Sequence, residues 1–392
     1  MTVVILLPNL VQALFMASIV PDQPRSKTGR KRVTLSTVAR EAGVAVSTAS
    51  AILRGEKTSW ASEVTRARVF SAAKKVEYRP NQIARSLRSQ ESNLIGLAFH
   101  SLDMHPIPMA KLAEVERHVI ASGYQVLIRN HHGRGRDEIQ SLLADYLSYQ
   151  VAGVILMPSH EVEEQIQWLL STGLPAVTID AANVVHVPNV AVDRVRGAYL
   201  QVKHLMEDAG CRRLAFFMPG GMGSQADPAA QKMDGFTMAL EECGSSREEH
   251  LFFRDEVDSG YEFGRRAANA LLESGEFVDG VVATSDQVAL TAMDVLTHAG
   301  VRVPEDVAVI GFDGQAFAAH LAVPLSTVCQ PAGIGRIAVE MLIDQLKSGQ
   351  KKTSLENRLL LPELVVRASS DPARRGRANW KPDSAGSSRT FM

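Results

Sequence analysis

VTLSTVAREAGVAVSTASAILRG, residues 33–55, folds two short helical patterns around one glycine. Thr34 precedes an apolar-periodic run of Leu35, Val38, Ala39 and Ala42, and its hydroxyl can cap the first amides of a helix. Gly43 ends that helix, because a tight turn there needs a residue that tolerates positive φ. A second helix is expected from about Val46 to Leu53, with Ala49, Ile52 and Leu53 on its buried side. Small side chains let two helices cross closely at a steep angle, which is the helix-turn-helix geometry. A third helix follows, capped by Ser62, with Val64, Val69, Ala72, Ala73 and Val76 near its apolar side.

Charge is distributed to match. The 392-residue chain has a formal net charge of −1. Between Arg30 and Gln90, however, 13 Lys/Arg face 4 Asp/Glu, and the remainder carries the opposite excess. A basic segment on an acidic body is the electrostatic footprint of a nucleic-acid-binding head. The next stretch, YRPNQIARSLRSQESNLIGL, begins with Pro80 as a helix stop and Asn81 as a new cap. Ala84 and Leu87 share a face, flanked by Arg85 and Arg88. So short a helix is unstable alone in water and needs a partner. DNA and a second copy would serve, with the leucine wedged between base pairs from the minor groove.

From Leu94 the pattern changes. LIGLAFH, YQVLIRN, VAGVILMP and PAVTID alternate with amphipathic stretches, as do RLAFFMPG, LFFR, VDGVVATS and VAVIGFDG. Apolar strands alternating with helices indicate parallel sheets covered on both faces. Two such halves in series predict a two-lobed α/β body, with ligands beyond the carboxyl ends of the strands.

VTLSTVAREAGVAVSTAS followed by YRPNQIARSL resembles the headpiece and hinge of the lactose/galactose-repressor family of bacterial transcription regulators. The resemblance extends over roughly residues 32–370, through AVDRVRGAYLQVKHLMEDAGCRRLAFF, DGVVATSDQVALTAMDVL, VPEDVAVIGFDG and PLSTVCQP. It implies a helix-turn-helix head joined by a hinge helix to a body like the periplasmic sugar-binding proteins, with the chain crossing between lobes three times. The expected division is an extension over 1–29, a head over 30–79, a hinge over 80–92, a body over 93–370 and a disordered tail over 371–392. Lobe 1 is expected at about 93–213 and 324–352, lobe 2 at 214–323 and 353–370.

Carried over by position, the resemblance puts Thr34, Thr48 and Ser50 on phosphates, and Val46, Ser47 and Ala51 at base edges. Arg54 and Asn81 join the DNA-binding set, and Leu87 is the minor-groove wedge with Ala84 beside it. In the body it puts Met104, Lys232, Ser285, Asp313 and Gln330 around a small-molecule effector. The chain departs from the family in several places. Ala45 replaces the usual Ser cap, Ala51 a common Arg, Arg54 an Asn, and Lys232 an effector-gripping Arg. Glu77 stands where the family favours Gly or Asn, in the turn into Tyr78. Val46 and Ala51 cannot make bidentate bonds to guanine, so hinge wedging and groove shape are expected to carry more of the specificity.

Competing readings have less support. Cys211, Cys243 and Cys329 form no CxxC pair, which argues against a disulfide framework or a structural zinc. The uncharged MTVVILLPNLVQALFMASIVP lacks the basic start of a signal peptide, and Met16 offers a second start. GGMGSQ, 220–225, lacks the Lys-Ser/Thr of a phosphate-binding loop, and no Gly-x-Ser-x-Gly elbow occurs. The expectation is a cytoplasmic, non-enzymatic transcription regulator that represses as a homodimer or tetramer on a near-palindromic DNA operator. A carbohydrate effector is expected, with no cofactor, no metal and no membrane. The alternatives are a solute-binding protein or an enzyme built on the two-lobed body.

Overall fold

Helix α1 (Leu35–Ala42) starts where Thr34 and Thr37 bond reciprocally: the Thr34 amide donates to the Thr37 hydroxyl at 3.4 Å, and the two hydroxyls lie 3.2 Å apart. In the computed structural model the described residues are 33–53, 61–78, 92–100, 106–131, 136–158, 163–181, 184, 186–219, 228–255, 260–348 and 356–374. They fall into two units, one within residues 1–90 and one within 91–392.

In the first unit, Gly43 takes φ 62° and closes α1, with its amide on Arg40 and that of Val44 on Ala39. This reversal satisfies the last carbonyls of the helix. Helix α2 (Val46–Leu53) and α3 (Glu63–Lys75) follow. Ser62 caps α3, its hydroxyl accepting from the Thr65 amide at 3.2 Å. Val38, Ala39, Ala42, Ala49, Ile52, Val69, Ala72 and Ala73 form the core. Val64, expected near the apolar side, is instead 74% exposed: it lies in the first turn of α3, beyond the reach of that core. Glu77 adopts φ 51°, and the Tyr78 amide reaches back to Ala73. The turn there requires a left-handed residue, which explains why a Gly or Asn fits it and leaves Glu77 strained.

The second unit holds two six-stranded sheets. Lobe 1 contains β1 (Leu94–His100), α4 (Pro106–Ala121), β2 (Gln125–His131), α5 (Arg136–Ser148), β3 (Gly153–Met157), α6 (Glu163–Ser171), β4 (Ala176–Ile179) and β5 (Asn189–Val192). The chain then runs through α7 (Arg194–Lys203), β6 (Leu214–Pro219), α8 (Pro228–Glu242), β7 (Leu251–Asp255), α9 (Tyr261–Ser274), β8 (Gly280–Ala283), α10 (Asp286–His298), β9 (Ala308–Asp313) and β10 (Ser326–Cys329). Helix α11 (Ile334–Ser348), β11 (Asn357–Leu360) and β12 (Glu363–Val365) complete it. The sheet orders are β11-β5-β4-β3-β1-β2 and β12-β10-β9-β8-β6-β7, parallel except for β12. The central strands β3, β4, β8 and most of β9 are apolar and wholly buried, as strands covered by helices on both faces must be.

The three expected crossings are present, but each is displaced. Helix α7 packs Ala198 and Val202 against Leu214, Phe216 and Ile310, so it belongs to lobe 2, and the first crossing is at Asp193 rather than near 213. Strand β10 pairs with β9, so the second crossing follows Cys329 rather than preceding 324. Strand β11 pairs with β5 in lobe 1, so the third comes at Leu361–Pro362 rather than near 353. For the first, a helix after a strand can return to its own sheet or dock on the next one, and both routes have the same local pattern; for the other two, a short strand's local pattern does not say which sheet it joins.

Helix α7 begins at the carboxyl end of β5 yet covers lobe 2, and α11 begins after the carboxyl end of β10 yet covers lobe 1 through Ile334, Ala338 and Leu342. All three crossings therefore lie at the carboxyl edges of the two sheets.

Candidate functional site: a DNA-facing head and a two-lobed cleft

On α2, Val46 is 45% exposed, Ser47 is exposed and Thr48 half-exposed. Ser50 and Ala51 are each 8% exposed. Ala51 does share a face with Ser47, four residues earlier, since helical neighbours repeat at that interval. Val46, Ser47 and Thr48 form the most open part of the helix. Thr34 is committed to its cap with Thr37. Arg54, Asn81, Ala84 and Leu87 lie outside the described residues, as does Met104 in the body.

Lobe 2 brings four expected residues to its carboxyl edge. Asp313 ends β9, and its Oδ1 accepts from Gln330 Nε2 at 2.8 Å. It holds φ 117°, in a region that costs a non-glycine residue free energy and that recurs at ligand sites. Gly314 beside it has φ 73°, and a Cβ there would lie 2.8 Å from the Cys329 backbone, so the turn admits nothing larger. Lys232 is buried, donates to the Thr284 carbonyl at 2.6 Å, and stands 4.0 Å over the Phe312 ring. That is a cation–π contact, and it fixes the ammonium between α8 and the ends of β8 and β9. Ser285 caps α10, accepting from the Val288 amide at 3.3 Å.

Sequence reasoning missed Asp286. Fully buried at the start of α10, it accepts from the Thr327 hydroxyl at 2.5 Å and the Gln315 amide at 2.6 Å. Burial, and then the negative charge of Asp313, push its carboxyl up to about 7. A strand-then-helix pattern with Asp in the first turn is so ordinary that nothing in the sequence distinguished it.

Lobe 1 contributes a cluster that was also missed. Asp180 follows β4 with φ 57°, and its carboxylate takes Lys111 from α4 on Oδ2. Arg194, the first residue of α7, lies 3.2 Å from Oδ1, and the Val192 amide donates to the same oxygen at 3.1 Å. Lys111 and Asp180 are 9% exposed and Arg194 is 10% exposed. Burial alone would raise Asp180; Arg194 and then Lys111 outweigh it and hold the carboxyl far below its usual range. The one available sequence signal was an aspartate ending an apolar strand, a place that Asp313 shares.

One arrangement has the order of a hydrolytic triad: Ser370 Oγ is 2.8 Å from His204 Nε2, and His204 Nδ1 is 3.0 Å from Asp208. Ser370 is fully buried and also donates to Ser326 at 2.7 Å, so no carbonyl substrate can approach it. Its role is to tie residues 368–370 to the end of α7. Among the described residues no three His, Cys, Asp or Glu are placed to hold a metal ion. None of the described helices is long and apolar enough to cross a membrane. The tryptophan nearest to consideration, Trp168, packs on the lobe-1 core.

Residues 34–81 match the bacterial regulatory proteins, lacI family, and residues 202–370 match the periplasmic binding protein-like domain. The ribose operon repressor of Halalkalibacterium halodurans is 31% identical over 341 residues, which cover 86% of this chain and 97% of that protein. Among solved structures, the lac repressor dimer bound to operator and the anti-inducer ONPF superposes with TM-score 0.77 at 26% identity, covering 87% of this chain and 99% of that one. The complex of the transcriptional regulator CelR with cellobiose gives TM-score 0.63 at 28% identity, covering 86% of this chain and all of its counterpart.

Proposed function

The chain belongs to the lacI family of bacterial regulatory proteins, DNA-binding transcriptional regulators rather than enzymes, and from that premise we propose that it is a repressor whose grip on DNA is set by a small molecule between its two lobes. The carrying observation is the pairing of Asp313 with Gln330 at the edge of lobe 2, on a strained backbone. A carboxylate and an amide side by side suit a ligand hydroxyl, which both donates and accepts. The ribose and cellobiose in the names of similar proteins favour a carbohydrate.

The head works from Val46, Ser47 and Thr48 in the major groove, anchored by Thr34. The hinge over 80–92 adds Asn81, Ala84 and the Leu87 wedge. Two copies bind the two halves of a near-palindromic operator in the cytoplasm. Ligand binding changes the tilt of the lobes and so the spacing of the two hinges. It can do so only by binding one tilt more tightly than the other. Because phosphate contacts supply part of the affinity, binding falls steeply with salt.

The test is a thermal-shift screen of sugars, nucleosides and amino acids on the full chain, since a ligand of the native state raises its melting point. Asp313→Ala is expected to abolish the shift. Retention of the full shift in that variant would remove the cleft assignment.

A further inference from the structure

The charges of the lobe-1 cluster do not balance. Two buried cations, Lys111 and Arg194, share one carboxylate, and neither has a second acceptor among the described residues. An ammonium carries three N–H donors and a guanidinium five, so most of their hydrogen-bonding capacity is uncommitted. A buried charge without a counter-charge is costly, and side chains nine-tenths enclosed gain little from bulk water. Among the described residues the excess is one positive charge, at the carboxyl edge of the lobe-1 sheet.

The backbone at this edge repeats a feature of the lobe-2 edge. Asp180 and Asp313 occupy equivalent places: each ends the third strand of its sheet order, β4 in lobe 1 and β9 in lobe 2, and each holds a positive φ. Strain of that kind persists at ligand-gripping positions. Asp313 meets a neutral amide, which suits hydroxyls. Asp180 is already neutralised, and what its surroundings offer inward is surplus cation.

We propose that the effector carries an oxyanion, a phosphate or a carboxylate, and that Lys111 and Arg194 hold it while Asp313 and Gln330 hold its polar body. This rests on the cleft reading above and narrows it to an anionic ligand such as a sugar phosphate or sugar acid. Asp180 acts as the positioning residue. It keeps both cations extended side by side, and Arg194, as the first residue of the crossing helix, lets an anion bound there pull on the joint between the lobes.

The experiment uses the full chain and thermal shift at constant ionic strength. Inorganic phosphate is the first probe, followed by the matched sets ribose with ribose 5-phosphate, and glucose with glucose 6-phosphate and gluconate. Phosphate and at least one anionic member are expected to raise the melting point more than chloride or the neutral sugar does. A preference confined to the phosphorylated members, or to gluconate, identifies which oxyanion is meant. Lys111→Met and Arg194→Gln are each expected to weaken the anion by about tenfold or more. Lys111→Arg, which keeps the charge, should retain binding and shows that a loss in Lys111→Met is not misfolding. A neutral sugar that binds as well as its anionic partner overturns this proposal and leaves the cleft reading standing. Anion binding that survives both substitutions overturns it as well. No response to any probe counts against both.

Discussion

Lobe 1 and lobe 2 repeat one strand order and place a strained aspartate at the same corner, yet they surround it with opposite charge. Asp180 sits between Lys111 and Arg194 and stays ionised far into acid. Asp313 sits beside a second carboxylate, Asp286, and a neutral Gln330. The backbone is therefore the shared part of the site, and the neighbours set its chemistry. Two positive-φ aspartates, at 57° and 117°, thus present surplus cation on one wall and hydroxyl-matching groups on the other.

The largest expected effect breaks the lobe-1 half of this contrast. Asp180→Asn leaves two buried cations unpaired and should cost about 3–5 kcal/mol in urea unfolding. A loss below about 1 kcal/mol would mean that the cluster behaves like an exposed ion pair.

The second effect is a pH dependence confined to lobe 2. Asp286 is raised to about 7 when folded, so the native chain holds its proton after the unfolded chain has released it. Its contribution to stability is therefore greatest in acid and falls as pH rises from about 4 to about 7, by on the order of 2–4 kcal/mol. The stability difference between wild type and Asp286→Asn should fall over that window. A difference that stays flat would mean that burial and the charge of Asp313 do not raise the Asp286 carboxyl.

A smaller effect separates useful strain from incidental strain. Glu77, in the head, also holds a left-handed φ, but outside any ligand wall. Glu77→Gly should stabilise the head by about 1 kcal/mol and leave ligand-induced melting shifts unchanged. Asp313→Gly relieves comparable strain and should remove those shifts, as calorimetry would show.

The smallest concerns the helix start that lacks a side-chain acceptor. Ala45 precedes α2, and Ala45→Ser should add about 0.5–1 kcal/mol. No gain would mean that the Ala45 site does not have cap geometry.

What the sequence revealed follows from range. The head was legible because its signals are local: Thr34, Gly43 and Ser62 act within a few residues of themselves. The parallel sheets were legible because strands buried on both faces read as unbroken apolar runs, such as GVILM in β3. The lobe limits were not, since α7 follows β5 just as it would if it folded back. The Lys111–Asp180–Arg194 cluster was hidden for the same reason. Its members lie on three elements, 69 residues separating Lys111 from Asp180, and meet only because a crossing helix starts beside β4. In sequence Lys111 is one polar residue of an amphipathic helix, indistinguishable from a solvated one. Asp286 was hidden because its partners, Gln315 just after β9 and Thr327 on β10, lie 29 and 41 residues away in sequence.

If ligand in the cleft sets the grip on DNA, titrating the full chain onto a DNA site obtained by binding selection, with and without the ligand found by thermal shift, will show a change in affinity of about 5- to 150-fold, lost in Asp313→Ala. A ligand that binds the cleft and leaves DNA affinity unchanged would contradict it.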